Sequence, residues 1–285
     1  MEKLPKISDP RGNLTFIESE NHISFKINCV KWYYDLFNQE ELKICTNPNS
    51  QNFIIALTGS FNVLLEKKNE EISLKKSNFG HLISNVSEIN LNNLSTNSVV
   101  LILSSEYFNI KNNNEEDRLY QISENYTSLM NKKSMNYQNT LNDFFSNTVR
   151  DCKKISLNTV VNKEFKKTIT ENLKSVPFEI KRVYYLYDIP GGEERGGHAH
   201  KDLYQYIIAA SGSFDVTIND GIDEKTVNMN RSYESIIIKP GIWRELSNFS
   251  SGSICLVLAS DYYKESDYIR SFKEFKNLKK NDSSC

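Results

Sequence analysis

Short, mainly apolar runs set between polar stretches recur over positions 4–108 of the chain, and the same texture returns over 154–276. The runs Leu14-Thr15-Phe16-Ile17, Cys29-Val30-Lys31-Trp32-Tyr33-Tyr34, Phe53-Ile54-Ile55-Ala56-Leu57, Ser60-Phe61-Asn62-Val63-Leu64-Leu65 and Val99-Val100-Leu101-Ile102-Leu103 predict strands. They are rich in β-branched and aromatic residues and are separated by Gly, Asn, Pro and Ser turns. Evenly spaced short strands of this kind predict a sandwich or barrel.

The second stretch is a copy of the first. Ser24-Phe25-Lys26-Ile27 matches Pro177-Phe178-Glu179-Ile180, Tyr34-Asp35 matches Tyr187-Asp188, Ile54-Ile55-Ala56 matches Ile207-Ile208-Ala209, and Gly59-Ser60-Phe61 matches Gly212-Ser213-Phe214. All are offset by 153 positions. Further on, Leu101–Tyr107 matches Leu256–Tyr262. A fixed period is the signature of duplication. The chain reads as all-β, with an N-terminal domain over residues 1–110, a partly helical linker over 111–153 and a C-terminal domain over 154–285. The helical reading of the linker rests on the apolar spacing from Leu119 to Phe145; Asn112–Asp117 reads as a loop. Asp267–Phe275 predicts a short helix or closing segment, and the residues from Lys279 onward are expected to fray.

Composition excludes some roles. With 35 Lys plus Arg against 36 Asp plus Glu, the net charge of −1 gives no support to nucleic-acid binding. Cys29, Cys45, Cys152, Cys255 and Cys285 are odd in number and lack CxxC spacing, as reduced thiols in a cytoplasmic protein would be. The opening residues Met1–Lys6 hold no apolar signal core, and no apolar run approaches the ~20 residues needed to cross a membrane.

The duplication also shows where the copies differ. Of four histidines, two fall in Arg195-Gly196-Gly197-His198-Ala199-His200, just ahead of the strand-like run Leu203–Ile208. Their spacing puts both imidazoles on one face of a strand, and imidazole is the side chain able to take a proton near neutral pH. An isolated HxH is as readily a pair of polar surface residues. The first copy carries Cys45 and Asn47 at these positions, Leu42 for Arg195 and Lys31 for Tyr184. Conversely, Asp9-Pro10-Arg11-Gly12 of the first copy has Asn162–Phe165 as its counterpart. Either surface positions have drifted, or one composite site uses a segment from each copy. Arg182 and Tyr184 share a strand face; Tyr184 reads equally as a buried aromatic in a Tyr-rich strand. Arg11, Arg182, Arg195 and Arg244 could grip phosphate oxygens bidentately, and each could equally be a solvated charge. Gly191-Gly192 and Gly196-Gly197 lie between strands, so turn and clearance roles fit them better than a phosphate loop.

Several stretches together, Ile180–Gly192, Arg195–Lys201, Lys239–Trp243, Asn248–Ser250, Val257–Tyr263 and Asp267–Arg270, resemble the sugar nucleotide 3,4-ketoisomerases of the cupin superfamily. The first copy resembles the same family more weakly, chiefly in Ser8–Leu14. The resemblance implies two tandem cupin domains of the jelly-roll, or double-stranded β-helix, type. It implies an isomerase acting on dTDP-4-keto-6-deoxyglucose, with His198 as the base that removes the C3 proton. His200 would shuttle a proton or hold sugar hydroxyls, Tyr184 would join the catalytic group, and Arg11, Arg182, Arg195 and Arg244 would bind substrate. No cofactor and no metal are expected: a metal-binding cupin has HxH, then Glu, then a distant His, whereas here Gln205 and Arg244 stand at the last two positions. A downstream sugar aminotransferase, in a deoxy-aminosugar pathway feeding lipopolysaccharide or another surface glycan, is the implied partner. Relatives with one domain look like dimers whose N-terminal strands cross over. This chain would then be a pseudo-dimer, leaving room for a further homodimer, with Asp9–Gly12 beside His198 and His200 and Gly12 clearing the sugar ring. A non-catalytic sugar-nucleotide-binding cupin and a related epimerase remain as alternatives.

Overall fold

The structure, a computed structural model, describes residues 1–36, 41–65, 70–108, 142–161 and 163–281. The chain is all-β, as its short apolar runs predict, and it forms two compact units that are not the two sequence copies. One comprises residues 1–6, the described residues of 15–108 and those of 157–177. The other comprises residues 7–14, 142–156 and 178–281. Each copy thus contributes a short leading segment to the unit built mainly by the other.

The first unit has a seven-stranded sheet in the order Glu2–Lys3, Phe79–Ser84, Gln51–Thr58, Val99–Ser104, Cys29–Tyr34, Lys166–Glu171, Asn158–Val161. A four-stranded sheet runs Glu41–Cys45, Glu88–Asn92, Phe61–Leu65, Glu70–Leu74. Its core draws on both, with Tyr33, Ile54, Val100 and Ile102 meeting Leu42, Ile44, Phe61 and Leu91. Alternation supplies these residues, since every second position of each strand faces inward, and each fully buried aliphatic contributes about 1.5–3 kcal/mol.

The second unit repeats the plan. Its larger sheet runs Lys154–Ser156, Glu234–Ile238, Gln205–Ser211, Ile254–Ala259, Arg182–Tyr187, then Gly12–Glu18 and Lys6–Asp9. Its smaller sheet runs Glu224–Met229, Phe214–Asn219, Trp243–Ser247, Arg195–His200, Tyr268–Ile269. Duplication shows in the backbone too: Asp35 and Asp188, each ending the strand after a matched Tyr, take left-handed φ values of 51° and 52°. Gly12, at φ +117°, lies where a Cβ would be 3.0 Å from the Asp188 carbonyl and 3.1 Å from Ile189 Cα. Its missing side chain therefore makes room for neighbouring backbone, a use different from the expected clearance of a sugar ring.

Of the expected linker, residues 111–141 lie outside the described residues, as does the loop at 112–117. Asn142–Ser146 is a short helix and Val149–Asp151 a single 3-10 turn. The closing segment differs from its sequence reading. Helix begins only at Phe272 and continues to Asn281, so Lys279 lies within it, while Tyr268–Ile269 pairs as a strand with Ala199–His200. The helix is anchored by Phe275, fully buried against Phe144, Ala199, Trp243 and Ile269. Within the stretch Asp267–Phe275, pairing with the His strand holds Tyr268–Ile269 extended, and helix takes only the residues from Phe272.

Candidate active site

The site lies in the second unit, where the Arg195–His200 strand meets Trp243–Ser247 on one edge and Tyr268–Ile269 on the other. Register slips between Gly196 and His198 against the Trp243–Ser247 strand. Gly196 sits there at φ +88°, and a Cβ would fall 2.8 Å from Arg244 Nη1 and 2.9 Å from the Arg244 carbonyl. Only glycine satisfies both the backbone and the space, so this bulge fixes how the strand presents its histidines.

The imidazole rings of His198 and His200 meet edge to face, 5.0 Å between centroids. Tyr268 packs on both, at 4.9 and 4.3 Å. His198 Nδ1 is 3.1 Å from the Gly196 carbonyl oxygen, which can only accept, so Nδ1 carries the hydrogen. His200 Nδ1 is 2.8 Å from Asp267 Oδ2. Burial raises the Asp267 carboxyl, but the His200 bond and the backbone N–H groups of Lys201 and Asp202 outweigh it and hold Asp267 below the usual carboxylate range. An ionised Asp267 only accepts, so His200 Nδ1 donates. In both rings the lone pair is therefore on Nε2, and both Nε2 atoms are buried with no hydrogen-bond partner. Most buried polar side-chain atoms have a hydrogen-bond partner, so these two acceptors stand open to a proton.

Both imidazoles are held neutral. Burial, then the Arg244 charge and His200, lowers His198 well below the ordinary histidine value. Burial lowers His200 to about 4 despite the opposing hydrogen bond it donates to Asp267, and the Arg244 charge adds to the lowering.

Beside them is a polar network. Arg244 Nε donates to Gln205 Oε1 at 3.0 Å, Arg244 Nη2 donates to the Tyr184 hydroxyl at 3.2 Å, and Gln205 Nε2 donates to the same hydroxyl at 2.8 Å. Tyr184 accepts twice, which leaves its own proton to be given elsewhere. Burial raises the Tyr184 pKa, with Arg244 opposing, so the phenol stays protonated. The buried Arg182 guanidinium stacks over Tyr184 at 5.4 Å and Tyr263 at 5.7 Å, and its Nε has no partner. Arg244→Met removes a buried donor from Gln205 Oε1 and should cost about 1–3 kcal/mol, the penalty of an unsatisfied polar atom. Urea unfolding read through peptides of the second unit checks this.

The structure thus brings together His198, His200, Tyr184, Arg182 and Arg244. Arg195 and Arg11 form a separate cluster. Arg195 Nη1 binds both Asp9 oxygens, at 2.9 and 3.1 Å, and the exposed Arg11 pairs with Asp9 at 3.0 Å. Asn13 Nδ2 donates to Asp188 Oδ2 at 2.9 Å. Neither arginine makes a hydrogen bond or ring contact with the imidazoles among the described residues. Sequence reasoning missed Asp267 and Tyr268 as site residues. They lie 67 and 68 positions after His200, in a segment read as a short helix or closing segment; the signal available was the Asp267–Arg270 stretch among those carrying the family resemblance.

Comparison with known proteins follows from this geometry. The family model described as FdtA: WxcM-like, C-terminal, matches residues 1–124 and 150–280. The chain belongs to this family, and it is an isomerase. A curated relative, the TDP-4-oxo-6-deoxy-alpha-D-glucose-3,4-oxoisomerase of Aneurinibacillus thermoaerophilus, is 44% identical over 108 residues, 38% of this chain and 77% of the relative. Among solved structures, a 3,4-ketoisomerase from Helicobacter canadensis is 42% identical with a TM-score of 0.45, covering 46% of this chain and 98% of its own. The WlaRB TDP-quinovose 3,4-ketoisomerase from Campylobacter jejuni is 43% identical with a TM-score of 0.44, covering 45% and 98%.

Proposed function

We propose that the second unit converts dTDP-4-keto-6-deoxyglucose into its 3-keto isomer by proton transfer between its two histidines and the sugar. The observation that carries this reading is the pair of neutral, buried imidazoles with unpartnered Nε2 atoms. The 44% identical oxoisomerase supports the substrate class. The C3 proton, acidified by the neighbouring carbonyl, passes to His198 Nε2. Its electron pair forms the C3–C4 double bond and the C4 carbonyl becomes an enediolate oxygen. His198 returns this proton to the C4 oxygen, giving an enediol; His200 Nε2 then takes the C3 hydroxyl proton and, as imidazolium, delivers it to C4 as the C3 carbonyl forms. Asp267 stabilises the imidazolium that forms on His200, the role a buried carboxylate plays beside a catalytic histidine. The Tyr184 hydroxyl donates to the developing oxyanion, and Arg182 and Arg244 supply positive charge in a site from which water is excluded. Arg195 is held by Asp9, an orientation that leaves part of its fork for the pyrophosphate, with the exposed Arg11 beside it. The product, a 3-keto sugar nucleotide, suits a downstream aminotransferase of a deoxy-aminosugar pathway.

The reading is also metal-free. The position of a third cupin ligand is Gln205, whose amide is spent on Arg244 and Tyr184, and that of a fourth is the Arg244 guanidinium, which repels a cation. Two neutral imidazoles alone are a poor divalent-metal site. Turnover should therefore survive exhaustive treatment with a chelator; loss of activity restored by one divalent ion would overturn this point. Turnover in D2O tests the proton path. The expected result is deuterium at C4 of a 3-keto product. Exchange at C3 or C5 with the 4-keto group retained would mark the epimerase, and no exchange a binding protein.

A further inference from the structure

The first unit holds a cavity of about 390 Å³ that the proposed isomerisation does not use. Its size falls within the range of small-molecule sites, about 300–1,000 Å³. Lys31, Cys45, Asn47, Asn52, Glu106 and Lys174 are in its lining. The constant offset makes Lys31, Cys45, Asn47 and Asn52 the counterparts of Tyr184, His198, His200 and Gln205. The cavity is therefore the first copy's version of the active site, emptied of imidazole and refilled with different polar groups.

Those groups are not inert filler. Lys31 is only 7% exposed, yet its side chain has no ion pair or hydrogen bond among the described residues. Lysine is almost never buried unless it is paired, because an uncompensated charge away from water is costly. The other lysine is satisfied: Lys174 is 3.0 Å from Glu171. Glu106 is engaged by Asn47 Nδ2 at 3.4 Å. Asn52, 1% exposed, gives its amide hydrogen to Ser50 Oγ at 2.8 Å, while its buried Oδ1 accepts nothing. Lys31 and Asn52, the latter with its unpartnered Oδ1, thus line a single cavity. A ligand that completes both carries an anionic group for Lys31 and a hydroxyl donor for Asn52.

We propose that the first unit is a non-catalytic binding site for a phosphorylated hexose, with Lys31 on the phosphate and Asn52 Oδ1 accepting from a sugar hydroxyl. The choice of a sugar rests on the reading of the matching pocket in the second unit; the anion and the hydroxyl rest on Lys31 and Asn52 alone. Nothing at the four replaced positions offers a neutral imidazole base, so binding is expected without turnover.

Cys45 gives a local readout, because its thiol is partly exposed and in no disulfide while Cys29, Cys152 and Cys255 are buried. The full chain is treated with iodoacetamide, and the Cys45 peptide is quantified by mass spectrometry against time. Millimolar glucose 1-phosphate should slow labelling of Cys45, and glucose or inorganic phosphate should do so only at higher concentration. Lys31→Met should raise the protecting concentration at least about tenfold, the loss of one hydrogen bond to a charged group. Asn52→Asp, nearly isosteric but repelling an anion, should do the same and serves if Lys31→Met does not fold. Labelling unaffected by glucose 1-phosphate, or protection unchanged in both variants, would overturn the proposal. Equal protection by inorganic phosphate would overturn its sugar part. Product formation from dTDP-4-keto-6-deoxyglucose, followed separately, reports on the second unit, so either reading can fail alone.

Discussion

His198→Asn should lower turnover by at least about 100-fold, the lower end for loss of a general base. The change is chosen to spare the fold: an asparagine amide can still donate to the Gly196 carbonyl, the side-chain hydrogen bond His198 makes among the described residues. What disappears is the Nε2 lone pair. Burial and the Arg244 charge hold His198 well below the ordinary histidine value, so the base stays unprotonated as pH falls through 6.5. The acid limb of the wild-type rate should accordingly lie below pH 6.5. Steady-state rates with circular dichroism on the same samples check both statements. His200→Asn separates the two imidazoles: hydrogen at C3 should still exchange with solvent D2O while 3-keto product falls. If His200, with Asp267 behind it, were the base instead, exchange would be lost in His200→Asn and persist in His198→Asn.

The second unit should lose about 3 kcal/mol of stability as pH falls from 6.5 to 4, on about 1.4 kcal/mol per pH unit of pKa difference. The sign follows from His200, lowered from 6.5 to about 4 by burial in the folded protein. Above pH 6.5 the ring is neutral in both folded and unfolded chains, and stability is full. Between 6.5 and 4 the unfolded chain binds a proton that the folded one refuses, so stability declines as pH declines. Below about 4 both are protonated and this loss is complete. His198, lowered for the same reason, adds to the decline. The Asp267 carboxylate, held below 3.8, contributes stability that is lost only at still lower pH, outside this window. Urea unfolding at a series of pH values, read through peptides spanning Arg195–Ser211 by hydrogen-exchange mass spectrometry, measures the effect. A flat profile from pH 7 to 4.5, or no flattening in His200→Gln, would show that these rings are not buried neutral.

Much of this architecture can be read from residues alone, for a physical reason. A short apolar run rich in β-branched residues is a local property, so Phe53–Leu57 or Val99–Leu103 declares itself a strand whatever it packs against. Duplication then compares two copies under the same fold, and the missing imidazoles at Cys45 and Asn47 stand out without any other sequence. Partnership is not local. The sheet that accepts residues 7–14 or 157–177 is decided by pairing across a hundred or more positions, which no run of apolar residues encodes. The same holds for Asp267 and Tyr268. Asp267 ends a 3-10 turn and Tyr268 opens a two-residue strand too short to carry a period, whose meaning comes only from lying beside Ala199–His200. Arg244 shows the opposite case. Its position opposite His198 makes it look like a lost metal ligand, whereas it is a buried guanidinium that ties Gln205 to Tyr184 and whose charge adds to burial in lowering both imidazoles.

The central claim is that two neutral imidazoles in the second unit move the keto group of a dTDP-linked sugar from C4 to C3. Incubation of the purified full chain with dTDP-4-keto-6-deoxyglucose, followed by carbon NMR, tests it most directly. The expected result is loss of the C4 carbonyl resonance with growth of a C3 carbonyl, abolished in His198→Asn. A substrate spectrum unchanged over the same period in the wild-type chain, or a product that retains the C4 carbonyl, would contradict it.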